Sequence, residues 1–330
     1  MRLLLAALAV VVVGLLPFLV ARDAISVQEL GHRAAGAEIG RQFDWPAGDL
    51  VADPALGYEV LADAASAARV NLVRMTTVSS AAGRPGIAYY VYLGRPDSAL
   101  FERFDLASGR WPTPGDIDAG DAAVTTAPAD GGSGPRVVGV PRVWGEGYDL
   151  SFEPLSRAYL SLTMAGTYAI DARSETDADR FLADVQRHLD GAGVVSALAV
   201  GPPVDAGQGG RAAAGNRYTP PLLIAVFVVL LTGAAARDGR RVGAMLLLGF
   251  PASRVWRVIA GRLLIAAAAV GASAGLIVLA ATPGADAGLA ARLAAPVAGA
   301  VGLGAAVTAG LAAVLVRRVR ISDLVKGRVS

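Results

Sequence analysis

The side chains that could do chemistry in this 330-residue chain are few. His32 and His188 are its only histidines, and cysteine is absent. A zinc site or a nucleophile–histidine–acid arrangement needs several partners brought to one point, and neither histidine has them nearby in sequence. A surface position is expected for both. Asp116, Asp118 and Asp121 in "GDIDAGDAAVTT" suggest calcium, but the spacing lacks the fixed glycine and closing glutamate of an EF-hand loop. A solvated turn is the simpler expectation. Residues 22–217 contain neither a G-x-S-x-G elbow nor an H-E-x-x-H pair. No nucleotide loop of the form G-x-x-x-x-G-K-[ST] occurs, and the chain has a single lysine, Lys326. The chain is therefore expected to be no enzyme and to bind no cofactor or metal itself.

The unusual segment is "RDGRRVGAMLLLGFPASRVWRVIAGR", residues 237–262. It carries six arginines and one acid around the apolar run "AMLLLGF". An arginine at a bilayer centre costs about 2.5–3.5 kcal/mol, so this set opposes burial in lipid by on the order of 15–20 kcal/mol. Yet the segment sits between apolar runs long enough to cross a membrane. The first is "LLLAALAVVVVGLLPFLV" within residues 1–21, too long for a signal-peptide core and read as an uncleaved span. The others are 218–236, opened by Pro220 and Pro221, then 263–281 and 294–316. The last two carry Gly271-x-x-x-Gly275 and Ala300-x-x-x-Gly304, small faces on which helices in lipid can pack closely.

Charge orients these spans. Residues 22–217 hold 17 arginines against 25 acids, a balance of −8. The segment 237–262 stands at +5, the tail 317–330 at +4, and the connection 282–293 at zero. The positive-inside rule puts the two basic segments and the amino terminus in the cytoplasm, and 22–217 and 282–293 outside. The expected architecture is an α-helical membrane protein of the cell membrane with four transmembrane helices. A mixed α/β extracytoplasmic domain lies between helices 1 and 2, and contacts with nucleic acid are not expected.

Within that domain, Pro54–Val70 has helical spacing, as does 174–193, which a serine or threonine caps and glycine ends. "NLVRMTTVS", "IAYYVYLG", "GTYAID" and "VVSALAV" read as strands. Residues 105–155 read as an irregular Pro/Gly-rich middle, and 201–217 as a flexible linker.

In the basic segment, the helix of span two can continue outward and end at Gly249, with a restart near Pro251 and Val255, Ile259 and Leu263 in line toward span three. Leu248, Gly249, Phe250 and Pro251 then form the bend of a helical elbow. Grease ringed by arginine suits a partner's groove. It equally suits packing on the chain's own helices, with the arginines on anionic lipid.

The run "RRVGAMLLLGFPASRVWRVIAGRLLIAAAAVGASAGL" resembles the signature of FtsX-like, MacB-type ABC transporter permeases. Arg240, Arg241, Leu248, Gly249, Ser253, Arg254 and Gly275 fall on matching positions, while Val242 stands where an acid is common and Pro251 is unusual at the turn. "LASGRWPTPGD" resembles a phrase of the family's exported domain. More weakly, the tail and residues 57–94 are similar to bacteriocin-associated integral membrane proteins of that group. The resemblance implies a separate cytoplasmic ABC ATP-binding subunit that carries ATP and Mg, and a homodimer or a pair with a related permease. It also implies an extracytoplasmic client rather than a channel. Arg240, Arg241, Leu248, Gly249, Phe250, Pro251, Ser253, Arg254 and Trp256 would then face the ATPase. The rival expectation is a membrane-anchored sensor whose outer domain binds a ligand, with no ATPase.

Overall fold

The computed structural model describes residues 2–46, 53–79, 83–127, 135–193, 198–201, 218–237, 244–245 and 248–318. The chain divides into two compact units, Val27–Ala214 and a helical unit of Met1–Ser26 with Gly215–Ser330. Helix α1 (Arg2–Ala34) contributes its first residues to the helical unit and its last two turns to the other.

The described residues of the sheet domain hold nine strands: β1 (Arg41–Trp45), β2 (Asn71–Ser79), β3 (Pro85–Leu93), β4 (Leu106–Gly109), β5 (Ala122–Thr125), β6 (Arg136–Pro141), β7 (Asp149–Pro154), β8 (Gly166–Asp171) and β9 (Ala199–Val200). Their order is β4-β6-β5-β7-β3-β2-β8-β1-β9, with β3–β7 and β5–β6 parallel and the other pairs antiparallel. Strand β3 explains the two-sided core. Its residues alternate, so Ile87, Tyr89, Val91 and Leu93 enter one apolar cluster and Ala88, Tyr90 and Tyr92 the other. The second of these clusters is covered by α2 (Pro54–Ala68) and α5 (Glu175–Gly191), through Leu61, Ala64, Phe181 and Val185. Both helices start as their sequences dictate. The Asp53 side chain accepts from Ala55 N at 2.9 Å ahead of Pro54, and the Ser174 hydroxyl accepts from Asp177 N.

Several expectations are corrected here. The described residues of 105–155, which leave out 128–134, are not irregular. They hold β4–β7, a short helix α3 (Pro114–Asp118) and a helical turn α4 (Leu155–Ala158). The strands are only four to six residues long, and β4–β6 and β5–β6 each contain a register shift, so no alternation long enough to read survives. Of "VVSALAV", the strand covers Ala199–Val200, and residues 194–197 lie outside the described residues.

His32 is not a surface residue but 8% exposed, on the last turn of α1. Its Nδ1 hydrogen-bonds with the Tyr148 hydroxyl at 2.7 Å and its ring lies 4.8 Å from that of Phe104. Tyr89 donates to the His32 carbonyl and accepts from Gly36 N at 3.2 Å. Burial pushes the Tyr148 phenol above its ordinary range, so it stays a neutral hydroxyl. His188, by contrast, is exposed.

Asp116 is likewise buried. It closes a capping box with Thr113 and accepts from Arg110 at 2.6 and 3.1 Å and from Arg136 at 3.1 Å. The Arg110 hydrogen bond, then the Thr113 backbone donor, hold its carboxyl well below the usual carboxylate range. Among the described residues no group of three or more His, Asp or Glu is placed to hold a metal.

The helical unit contains α6 (Thr219–Ala236), α7 (Ala252–Trp256), α8 (Arg262–Ala281) and α9 (Ala287–Arg318) besides the start of α1. Among the described residues four helices, α1, α6, α8 and α9, are long and apolar enough to cross a membrane. No more than 28% of the most apolar stretch of any of them is buried inside the protein. Their outward faces carry side chains such as Leu222, Val229, Ile265 and Leu276, which water would not tolerate in such density. Helix α9 begins at Ala287, so the connection expected over 282–293 shortens to the turn before it. The Asp286 carboxylate accepts from Leu289 N at 2.8 Å, a helix-start contact that the alanine-rich run hid.

Candidate functional site

The candidate site is the segment from the end of α6 into α8. Arg240 and Arg241 lie outside the described residues, as do 246–247. Ala244 and Met245 are helical, and this helix ends at Gly249, whose φ of 77° is left-handed and strained for any residue with a Cβ. Leu248 N donates to Ala244 O at 3.1 Å and Phe250 N reaches back to Met245 O at 3.1 Å. That six-to-one bond is the Schellman pattern, which satisfies a carbonyl the ending helix would leave bare. Pro251 follows in extended conformation (φ −66°, ψ 146°) and caps the next helix, its carbonyl accepting from Arg254 N at 2.9 Å and Val255 N at 3.2 Å. Two helices therefore meet at a sharp bend made by one glycine and one proline.

The bend's side chains divide by direction. Leu248 is 75% exposed, and Pro251, Ser253 and Arg254 are exposed as well. Phe250 is half-buried, with the Arg254 guanidinium 4.9 Å from its ring centroid. Such stacking holds both groups at the surface and presents apolar area beside positive charge.

Trp256 turns the other way. Its indole Nε1 donates to Thr308 Oγ1 on α9 at 3.1 Å, and its ring packs against the cluster of Phe227, Leu231, Leu264 and Ala300. It is thus a tie between the elbow and α9 rather than an outward contact. Thr308 is 3% exposed and donates in turn to Gly304 O at 2.7 Å. Sequence reasoning missed this pair, although a threonine inside an alanine–glycine run was the available signal.

Past Trp256 the helix continues through a π turn, Arg257–Gly261, directly into α8. One extra residue per turn shifts the inward series. Val255, Ala260 and Leu264 are buried, and Leu263 of the expected line is only half-buried; the side chain of Ile259 lies outside the described residues.

The small residues behave unequally. A Cβ on Gly271 would stand 2.7 Å from Val297 Cγ1 and 3.0 Å from Val13 Cγ1. One on Gly304 would stand 2.9 Å from both Leu231 Cδ2 and Phe227 Cε1. Ala300 is fully buried. Gly275 differs from the expectation, with nothing within 4 Å of its Cβ position, so it is no packing point within one chain. Residues 271–275 also spell G-A-S-A-G, but they lie inside α8 and not on the strand–turn–helix that a nucleophile elbow needs.

No family model and no curated protein matches the chain. Among solved structures it is similar to the extracellular domain of the noncanonic ABC-type transporter YknZ from Gram-positive bacteria. The identity is 14% and the TM-score 0.33, over 49% of this chain and 99% of that one. A likeness at that TM-score carries no argument about fold or function. What the described residues display is four helices fit to cross a membrane, a separate mixed-sheet domain, and between two of those helices a bend with exposed apolar and cationic side chains.

Proposed function

We propose that this chain is the membrane subunit of an ABC transporter of the FtsX/MacB mechanotransmission type. A separate cytoplasmic ATP-binding subunit, carrying ATP and Mg, docks on the elbow at Leu248, Gly249, Phe250, Pro251, Ser253 and Arg254. Arg240 and Arg241 reinforce the contact. ATP-driven closure of two such subunits pushes the elbows of two permease chains, identical or related, and the helices carry the displacement to the domain outside. There the work is done on a peptide, lipid or lipoprotein client, or as a signal.

The supporting observation is the bend itself. The left-handed Gly249 and the cap of Pro251 fix Leu248 and Phe250 at a tip where Leu248 is exposed and Phe250 only half-buried. Burying one such side chain in a partner's groove is worth about 2 kcal/mol, roughly thirtyfold in Kd. Purification of the full chain from its native host should recover a stoichiometric ATP-binding subunit. Leu248→Asp and Phe250→Asp should each lose it. If both variants retain the subunit and its ATPase activity, the elbow is not the docking surface.

A further inference from the structure

The sheet domain has a groove of about 350 Å³ between α2 and α5, at the small end of ligand pockets (about 300–1,000 Å³). Trp45 and Leu189 are buried and form its floor, Val60 is half-buried, and Leu56 is left 62% exposed on the wall. The rim is acidic, with Asp53, Glu59 and Asp63 all exposed and His188 beside them.

Glu59 and Asp63 stand one turn apart on α2, where like charges repel. Neither makes an ion pair among the described residues, whereas Asp97, Asp116, Asp149, Asp171 and Asp179 of the same domain each face an arginine. An exposed aliphatic wall beside uncompensated carboxylates is complementary to apolar side chains flanked by positive charge. The same charges disfavour the other candidates for that space. Anionic lipid headgroups are repelled, and so is a second copy of a domain whose segment 22–217 stands at −8.

We propose that the α2/α5 groove binds a cationic amphipathic peptide segment, seating one or two aliphatic side chains on Leu56, Val60 and Leu189 with Lys or Arg against Glu59 and Asp63. This deepens the client side of the function proposed above and rests on it only for the placement of the domain outside the cell.

Because the chain lacks cysteine, Ala192→Cys on the groove wall supplies a unique thiol for an environment-sensitive fluorophore. The full chain, in phosphatidylcholine nanodiscs, is titrated with the amide of Lys-Leu-Leu-Lys and with that of Glu-Leu-Leu-Glu. The cationic peptide should give a saturable emission shift that weakens with salt, and the acidic peptide none. Glu59→Gln with Asp63→Asn should weaken binding about tenfold, and Leu56→Ser should weaken it independently.

The proposal is overturned by an absent or non-saturating shift, by equal responses to the two peptides, or by binding indifferent to the carboxylate variants. A shift produced without peptide, by raising protein concentration or adding anionic lipid, assigns the groove to a second copy or to lipid and likewise overturns it. Recovery of the ATP-binding subunit is a separate readout. A failed titration with that complex intact removes only the peptide site, and the reverse result removes only the elbow assignment.

Discussion

Replacing Thr308 with valine swaps a hydroxyl for a methyl of the same shape and leaves the Trp256 Nε1–H pointing at apolar surroundings. The bond lost is 3.1 Å long and its acceptor is 3% exposed, so water does not compensate readily. A buried donor left unpaired costs about 1–3 kcal/mol in soluble proteins, while hydrogen bonds between membrane helices average about 0.6 and reach about 1.7 kcal/mol. The expected value for this tie is therefore near 1 kcal/mol. Trp256→Phe removes the donor and some packing, after which Thr308→Val has little further to lose. The double-mutant cycle isolates the bond from the packing, which each Trp256 variant loses alike. Equilibrium unfolding of the full chain in mixed micelles, titrated with denaturing detergent, measures all four corners. Thr308→Ser keeps the acceptor and should preserve the stability of the parent within the same error. Independent sites add to within about 0.3–0.5 kcal/mol. If the two substitutions add that closely, Trp256 is not tied to α9 through Thr308 and only packing joins the two.

Two further outcomes follow from packing and charge. Gly304→Leu forces atoms into Phe227 and Leu231 and should destabilise the helical unit by about 1–3 kcal/mol, whereas Gly275→Leu should leave the thermal midpoint of the chain unchanged. A comparable loss at Gly275 would show that another surface covers it. Asp116→Asn should destabilise the sheet domain at neutral pH by about 1 kcal/mol, discounted because Arg110 and Arg136 are more than half exposed. The folded-state carboxyl lies below its ordinary 3.8, so this contribution is complete above that value and is lost as pH falls beneath it. Unfolding curves of parent and variant should converge in acid, and a constant difference across pH would rule out the Arg110 ion pair as the source.

The sequence made legible what is periodic or capped. Strand β3 announced itself because seven consecutive apolar residues exceed what a half-buried strand would carry, and α2 and α5 because Pro54 and Ser174 mark their starts. The end of the helix at Gly249 was legible for the same reason, since a glycine after an apolar helical run has one common use. The strands β4–β7 were not legible, because their partners lie far apart in the chain and each is too short to show a period. His32 was misjudged because the amphipathic tail of α1 follows directly on an apolar run, so nothing marks where one burial face replaces another. The inward turn of Trp256 depends on a π turn and a single threonine on another helix, and neither leaves a local trace.

The last two turns of α1 bear on where the sheet domain can be cut away from the rest. Gln28 accepts from Trp144 N at 2.8 Å, His32 pairs with Tyr148, and Ala35 belongs to the cluster around Tyr89 and Phe152. A soluble fragment begun just before β1, at the first residue of obvious strand character, would strip a wall from that cluster and leave two tyrosine hydroxyls without their partners. Excision must instead pass through the middle of a helix, near Val27, so the fragment's amino terminus is a helix end that never had a cap of its own.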